Sequence, residues 1–216
     1  MKALVPIFLF LFFCCSNSMA QSIKSASGDS SGRFSFQFQI DQNFKLKDFQ
    51  GSIFCGKYHF NPHNAVRIGL SISGLYHKAN YDHYYRKYIQ KSFSYMLRSQ
   101  FIHYLNRKSI HVYLGIGPMG GYNYSYDERD GPFIDIPQLD ITESRTWTVG
   151  INILSGVEYY VNKSISFMAE YGLDIEYEKI LSGKNKNPDR TLYRYGEYYL
   201  YRIAAIPVKF GISLYS

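Results

Sequence analysis

The chain has 216 residues, the size of one ordinary domain. Hydrophobic residues make up 46% and aromatics 18%, against 19% charged, which excludes a disordered chain; a coiled coil or collagen-like repeat is excluded by the lack of either pattern. The formal net charge of +7 is spread along the sequence, without the contiguous basic stripe that nucleic acid binding requires.

Met1 and Lys2 form a short basic start, and Ala3 to Cys15 follows with no charge. Ser18 and Ala20 then supply the small residues of a cleavage site. This is the layout of a secretory signal peptide over residues 1–20, and the apolar run is too short to anchor in a membrane. Lipidation at Cys14 or Cys15 is the weaker alternative, because the large Phe13 precedes them. Cleavage after Ala20 leaves Cys55 as the one cysteine, so no internal disulfide is expected, and removing Lys2 lowers the charge from +7 to +6. Residues 21–32 are small and polar and read as a flexible N-terminal segment ahead of a domain over 33–216.

From Arg33 onward the sequence alternates with period two, the pattern of strands with one apolar and one polar face. The segments fall at roughly 33–41, 51–60, 64–77, 91–105, 109–124, 145–161, 164–178 and 196–215. The second alternates less cleanly, with Ile53, Cys55, Lys57 and His59 sharing a face. In the last, Arg202 shares a face with Leu200 and Ile206, which predicts a bulge near Ala204-Ala205 or Pro207. Short connections (61–64, 106–108, 162–163) alternate with longer ones (42–50, 78–90, 125–144, 179–195). In an up-and-down topology this puts every tight turn at one end and every long loop at the other, as in an outer-membrane barrel.

The polar face carries Lys57, Arg67, Arg98, Glu158, Glu170, Asp174, Glu176 and Lys209, charges of both signs over six segments. A soluble barrel of lipocalin type would turn these charges outward around an aromatic cavity. A membrane barrel turns them into the lumen and gives its aromatic face to lipid. Loop asymmetry and the lack of disulfide partners favour the second arrangement: an all-β, eight-stranded antiparallel up-and-down transmembrane β-barrel. Eight strands leave a lumen just wide enough for side chains, so these eight residues are expected to form a polar network that fills it.

The chain resembles the small outer-membrane β-barrel proteins of Gram-negative bacteria, the OmpA-type and OmpX-like barrels, and among them the outer-membrane β-barrel domain proteins of Bacteroidetes. The resemblance is carried by Tyr113-Leu-Gly-Ile-Gly-Pro-Met-Gly-Gly-Tyr122, by Gly156-Val-Glu-Tyr-Tyr-Val-Asn-Lys-Ser-Ile-Ser-Phe-Met-Ala-Glu-Tyr-Gly172 and by Pro207-Val-Lys-Phe-Gly-Ile-Ser-Leu-Tyr215. It implies a location in the outer membrane and contact with its lipid and lipopolysaccharide. It also implies insertion by the barrel assembly machinery, which reads a terminal aromatic residue; here Tyr215 is penultimate. No room is expected for the peptidoglycan-binding domain of larger OmpA relatives.

Other patterns have plainer readings. Gly115-Ile-Gly-Pro-Met-Gly120 fits a dinucleotide fingerprint but lies inside an alternating strand, where glycines make room for neighbouring tyrosines. No histidine among His59, His63, His77, His83, His103 and His111 is followed two residues on by Ser, the arrangement that lipid-deacylating barrels resemble. His77, Asp82 and His83 on one loop, and the acidic run Asp127, Glu128, Asp130, Asp135, Asp140 and Glu143, offer metal-ligand types without a binding spacing. Asn123 and Asn162 sit in chance glycosylation sequons, and Cys55 reads as a buried, inert thiol. No catalytic residue, metal or cofactor is expected. The expected function is a non-enzymatic barrel with a structural or surface-interaction role, its outer loops contacting lipopolysaccharide phosphates or another surface ligand. The alternatives are a narrow porin-like pore, a lipid-modifying barrel enzyme and a soluble lipocalin-like binder.

Overall fold

Alternation with period two turns successive side chains to opposite faces, and each of the eight alternating segments forms a strand. The computed structural model describes residues 32–45, 50–79, 87–105, 110–133, 136–185 and 194–216. The strands are β1 (Arg33–Lys45), β2 (Gln50–Asn61), β3 (Asn64–Ala79), β4 (Lys87–Tyr104), β5 (Ile110–Phe133), β6 (Ile136–Tyr160), β7 (Ile165–Asn185) and β8 (Arg194–Tyr215). Each pairs antiparallel with its neighbours in chain order, and β1 pairs with β8 to close the barrel. The expected signal peptide lies outside the described residues.

Closure runs from Ser35 opposite Tyr215 to Asp41 opposite Lys209. Above this seam β1 and β2 are soon finished: they join across 46–49, and Gly51 takes φ +77° under the hairpin head, where a Cβ would press on the Asp41 carboxylate. The expected bulge in β8 is present. Glu170 faces Lys209 and Gly172 faces Ile206, so Pro207 and Val208 together oppose Tyr171. Two consecutive inward positions, Ile206 and Lys209, are therefore three residues apart.

The other three long connections are shorter than expected from the sequence. The β5–β6 ladder is unbroken from Ile110 opposite Tyr159 to Phe133 opposite Ile136, so nearly all of 125–144 is strand, not loop. Likewise β3 and β4 leave only 80–86 between them, and β7 and β8 leave 186–193. The tall end of the barrel is thus a wall built from β3 to β8. Its two margins, beyond Leu70 on β3 and before Lys209 on β8, have no β2 or β1 partner. Tyr76 (65% exposed), Tyr201 (80%) and Ile203 (74%) stand on those margins.

The faces are inverted relative to a soluble protein. Ile68, Leu97, Phe101, Leu114, Ile116, Val149, Ile151, Ile153, Leu173, Ile175 and Ile212 all point outward and are exposed, while Gln37, Arg67, Gln100, Asn152 and Glu170 are buried. Aromatic side chains bracket the apolar band. Tyr95, Tyr122 and Trp147 lie in one ladder row with ring centroids 6.0 and 5.5 Å apart. At the other end Phe60 and Phe101 touch at 6.0 Å, with Tyr159 and Phe167 exposed nearby on β6 and β7. Trp147 and Tyr159 are twelve residues apart on β6. At about 3.3 Å per residue and a tilt of roughly 40°, that is about 30 Å along the barrel axis, close to the lipid-facing height of an outer-membrane barrel. A soluble barrel with an aromatic cavity is excluded by this orientation.

Ile153 lies near the middle of the band. Its replacement by lysine, Ile153→Lys, should destabilise the barrel by about 2–4 kcal/mol while Ile153→Leu is near neutral. Urea unfolding from lipid vesicles, followed by the gel shift between unboiled and boiled samples, measures the difference.

Candidate functional site: the charged lumen

Charges that face inward in a barrel of eight strands meet the opposite wall. The structure places Lys57 on β2, Arg67 on β3, Arg98 on β4, Glu158 on β6, Glu170, Asp174 and Glu176 on β7, and Lys209 on β8. Strands four apart in the order stand opposite one another, and two ion pairs span that diameter: Lys57 to Glu158, from β2 to β6, and Arg67 to Glu170, from β3 to β7.

The lower brace lies near the short turns. Lys57 Nζ donates to Glu158 Oε2 at 2.9 Å and to Oε1 at 3.1 Å, with the two side chains 1% and 0% exposed. Glu158 also accepts hydrogen bonds from Tyr104 (2.9 Å), Ser166 (2.5 Å), Ser213 (3.2 Å) and Tyr215 (2.6 Å). Five side chains on β2, β4, β7 and β8 therefore converge on one carboxylate. Desolvating it would otherwise cost several kcal/mol. Tyr104 stacks on the His59 ring at 5.3 Å. Tyr215 joins the network through its hydroxyl, so the penultimate aromatic of the chain points into the lumen and not to lipid.

The middle brace is bidentate. Both terminal nitrogens of Arg67 reach Glu170, Nη1 to Oε1 and Nη2 to Oε2, the second at 3.1 Å. Arg67 Nε donates to Gln100 Oε1 at 2.7 Å, and Tyr113 donates to Glu170 at 2.6 Å. From Gln100 the network continues to Asn152 Oδ1, and Asn152 donates to Asp174 Oδ1 at 2.6 Å. Asp174 in turn receives Arg98 Nη2 at 3.1 Å. One connected chain of polar groups thus crosses the barrel and climbs toward its tall end.

Tyr113 fits because β6 has a glycine opposite it: a Cβ on Gly156 would lie 2.5 Å from the Tyr113 ring. The Gly115–Gly120 run has another role than expected. Gly115 and Gly117 admit Leu154 and the backbone of β4 at Ser99, not tyrosine rings. The run is strand throughout, with no helix following it.

Two of the eight residues differ from the rest. Glu176 pairs with Arg202 at 2.5 Å, a cation that the bulge at Pro207–Val208 carries to the inner face of β8. Lys209, 8% exposed, has no carboxylate within ion-pair distance among the described residues. It borders a cavity of about 10 Å³ shared with Asn152, Glu170 and Ile206, room for a single water. Arg202 is the functional residue that the alternation misassigned, and the Leu200–Arg202–Ile206 anomaly was its signal.

The remaining candidates are dispersed. His63 and His103 stack at 6.3 Å by the turn end, His111 packs on Tyr160 at 4.8 Å, and His77 lies 6.0 Å from Tyr88. Asp82 and His83 lie outside the described residues. Of the acidic run, Asp127 pairs with Arg129, Glu143 with Arg145 and Asp140 with Lys184, all between neighbouring strands or along one strand. Cys55 is free and buried on the inner face.

Hydrophobic outside, ion-paired inside and closed by its own first and last strands, the molecule is an integral membrane β-barrel. A family model for the outer membrane protein beta-barrel domain matches residues 7–198, and the chain belongs to that family. It is a protein of the outer membrane. No curated protein sequence matches the chain. Among solved structures it is similar to the N-terminal β-barrel domain of Pseudomonas aeruginosa OprF, with 11% identity, 88% of this chain and 100% of that one covered, and a TM-score of 0.40. It is also similar to a major outer membrane protein of Thermus thermophilus (10%, 86% and 99%, 0.47). A third is Ail, the attachment invasion locus protein of Yersinia pestis (11%, 86% and 99%, 0.38).

Glu158→Gln should destabilise the barrel by about 3–5 kcal/mol, because it strands the buried Lys57 ammonium. The double replacement Lys57→Met with Glu158→Gln should recover most of that loss. Denaturant midpoints of the two variants in vesicles, read against wild type, decide it; equal losses would show that no cross-lumen pairing energy is at stake.

Proposed function

We propose that this protein is a sealed, non-enzymatic barrel with a structural and surface-interaction role, its tall outer wall carrying whatever recognition it performs. The observation that supports this most is the pair of braces across the lumen. A conducting pore needs a continuous file of water, whereas here Lys57–Glu158 and Arg67–Glu170 meet on the axis at two heights. The void beside Lys209 is small, about 10 Å³, enough for one water. The wall supports the second half of the reading. The β5–β6 hairpin continues for eleven residues per strand beyond the Tyr122–Trp147 pair, far more hairpin than is needed to cross the bilayer.

Delivery by a signal peptide cleaved after Ala20 and insertion by the barrel assembly machinery are part of the proposal. The porin-like reading has no observation in its favour, and no lipid-modifying chemistry is proposed.

Purified protein inserted into planar bilayers should give no steady conductance. A stable open level on the scale of a water-filled porin would overturn the sealed-lumen reading. Replacing Arg67 and Glu170 by alanine should leave the barrel closed, because Lys57–Glu158 still spans it, and only alanine at all four positions should give measurable leakage.

A further inference from the structure

The outer aromatic row is followed, one outward position higher, by basic residues on three strands. Lys91 follows Phe93 on β4, Arg145 follows Trp147 on β6, and Lys179 follows Tyr177 on β7. On β3, Lys78 follows Tyr76 in the same way. A rise of two residues at about 3.3 Å and roughly 40° of tilt sets each about 5 Å above its aromatic neighbour, within the headgroup layer.

These cations are not equivalent. Arg145 is paired with Glu143 at 2.6 Å and Lys179 with Glu197 at 2.5 Å. Lys78 and Lys91 are exposed, and neither has a carboxylate partner among the described residues. Glu128, which shares the Lys78 row, is buried and accepts the Tyr126 hydroxyl at 2.7 Å. Lys78 stands opposite Ile89, and Lys91 is two residues along from Ile89, so the two ammonium-bearing residues are diagonal neighbours on one face. Diagonal neighbours are about 7–8 Å apart, near enough for like charges to repel and for one anionic group to bridge them. The Lys91 ammonium also lies between two rings, 5.9 Å from the centre of Tyr76 and 5.6 Å from that of Tyr126, on the outward face of the wall.

We propose that Lys78 and Lys91, framed by Tyr76 and Tyr126, form a binding site for a phosphate of the outer-leaflet glycolipid, lipopolysaccharide. Height selects the source. An anion site for a soluble phosphate has no reason to sit directly over an aromatic girdle on the lipid-facing surface, whereas the phosphates of an outer-leaflet lipid lie at that level. The site is independent of the lumen, so it stands or falls separately from the sealed-barrel reading.

The test uses the full protein refolded in zwitterionic detergent and titrated with lipopolysaccharide, read by thermophoresis. Lys78→Gln with Lys91→Gln should weaken binding about tenfold or more, while Lys163→Gln in a turn at the other end leaves it unchanged. Phosphatase-treated lipopolysaccharide should bind wild type as weakly as the intact lipid binds the double variant. Retention of the unboiled gel shift shows that the variants remain folded, as surface substitutions should. Equal binding by the double variant, or equal binding of the dephosphorylated lipid, overturns the site. Displacement of the lipid by inorganic phosphate at similar concentration overturns the assignment to a membrane lipid.

Discussion

Hydrocarbon offers no partner to a backbone N–H or C=O, so a sheet that crosses a bilayer must return to its own first strand. In this protein that return is made by a short stretch, Ser35–Asp41 against Tyr215–Lys209. Every other junction has its register continued by a turn or hairpin, while β1 and β8 are joined only by the ladder. The network below it compensates. Tyr215 and Ser213 on β8 both donate to Glu158 on β6, and Gln37 on β1 donates to Ser213 at 3.1 Å. The closing strands are thus tied to the far wall through one carboxylate, which couples closure of the sheet to filling of the lumen.

The lumen then obeys two constraints at once. Eight strands enclose too little space for bulk water, so inward charges cannot be solvated and must find protein partners. Opposite walls are also close enough for long side chains to meet. Lysine and arginine on β2 and β3 reach glutamate on β6 and β7, and the hydroxyls and amides between them satisfy the remaining lone pairs. A buried ion pair of this kind adds little stability over an apolar filling of the same volume, but losing one partner is costly. A filled polar lumen has a further consequence: with the apolar residues turned to lipid and the inward ones ion-paired, the faces cannot be exchanged, so a one-residue register slip is penalised on both sides.

This is why so much of the fold was legible in the sequence. Where one face meets lipid and the other a packed polar lumen, alternation is strict, as in Trp147–Val161, and the eight strands and their faces can be read directly. Above the girdle the contrast fades: Ile89, Glu128 and Ile141 share one outward row and are all buried, one of them charged, so 125–144 reads as a loop although its described residues remain in the β5–β6 ladder. The charged lumen residues were legible as a set, because each lies on the polar face of its strand. Their pairing was less so. The rule that strands four apart face each other would match Lys57 with Glu158 and Arg67 with Glu170 once closure is assumed. It would not find Arg202, because a bulge at Pro207–Val208 shifts the phase of β8 and alternation carries no marker for the extra residue other than the proline itself.

The same proline bears on the shape of the outer end. Pro207 lies just above the last β1–β8 pair, and having no N–H it removes one donor where β8 loses its neighbour. An edge strand with unpaired donors inside a bilayer is costly, and one in water invites pairing with other chains. Bulge and proline together blunt the lower part of that margin, while above it the strand emerges at the aromatic girdle, with Tyr177 packed against Tyr201 at 5.0 Å and Tyr199 at 6.0 Å. On the β8 side the short β1–β2 hairpin therefore leaves one backbone donor fewer at the margin it uncovers. The asymmetry between that low side and the tall β3–β8 wall follows from how one strand is allowed to lose its partner, and it leaves the outward surface of the wall, not the barrel axis, as the part of the molecule that meets anything beyond the membrane.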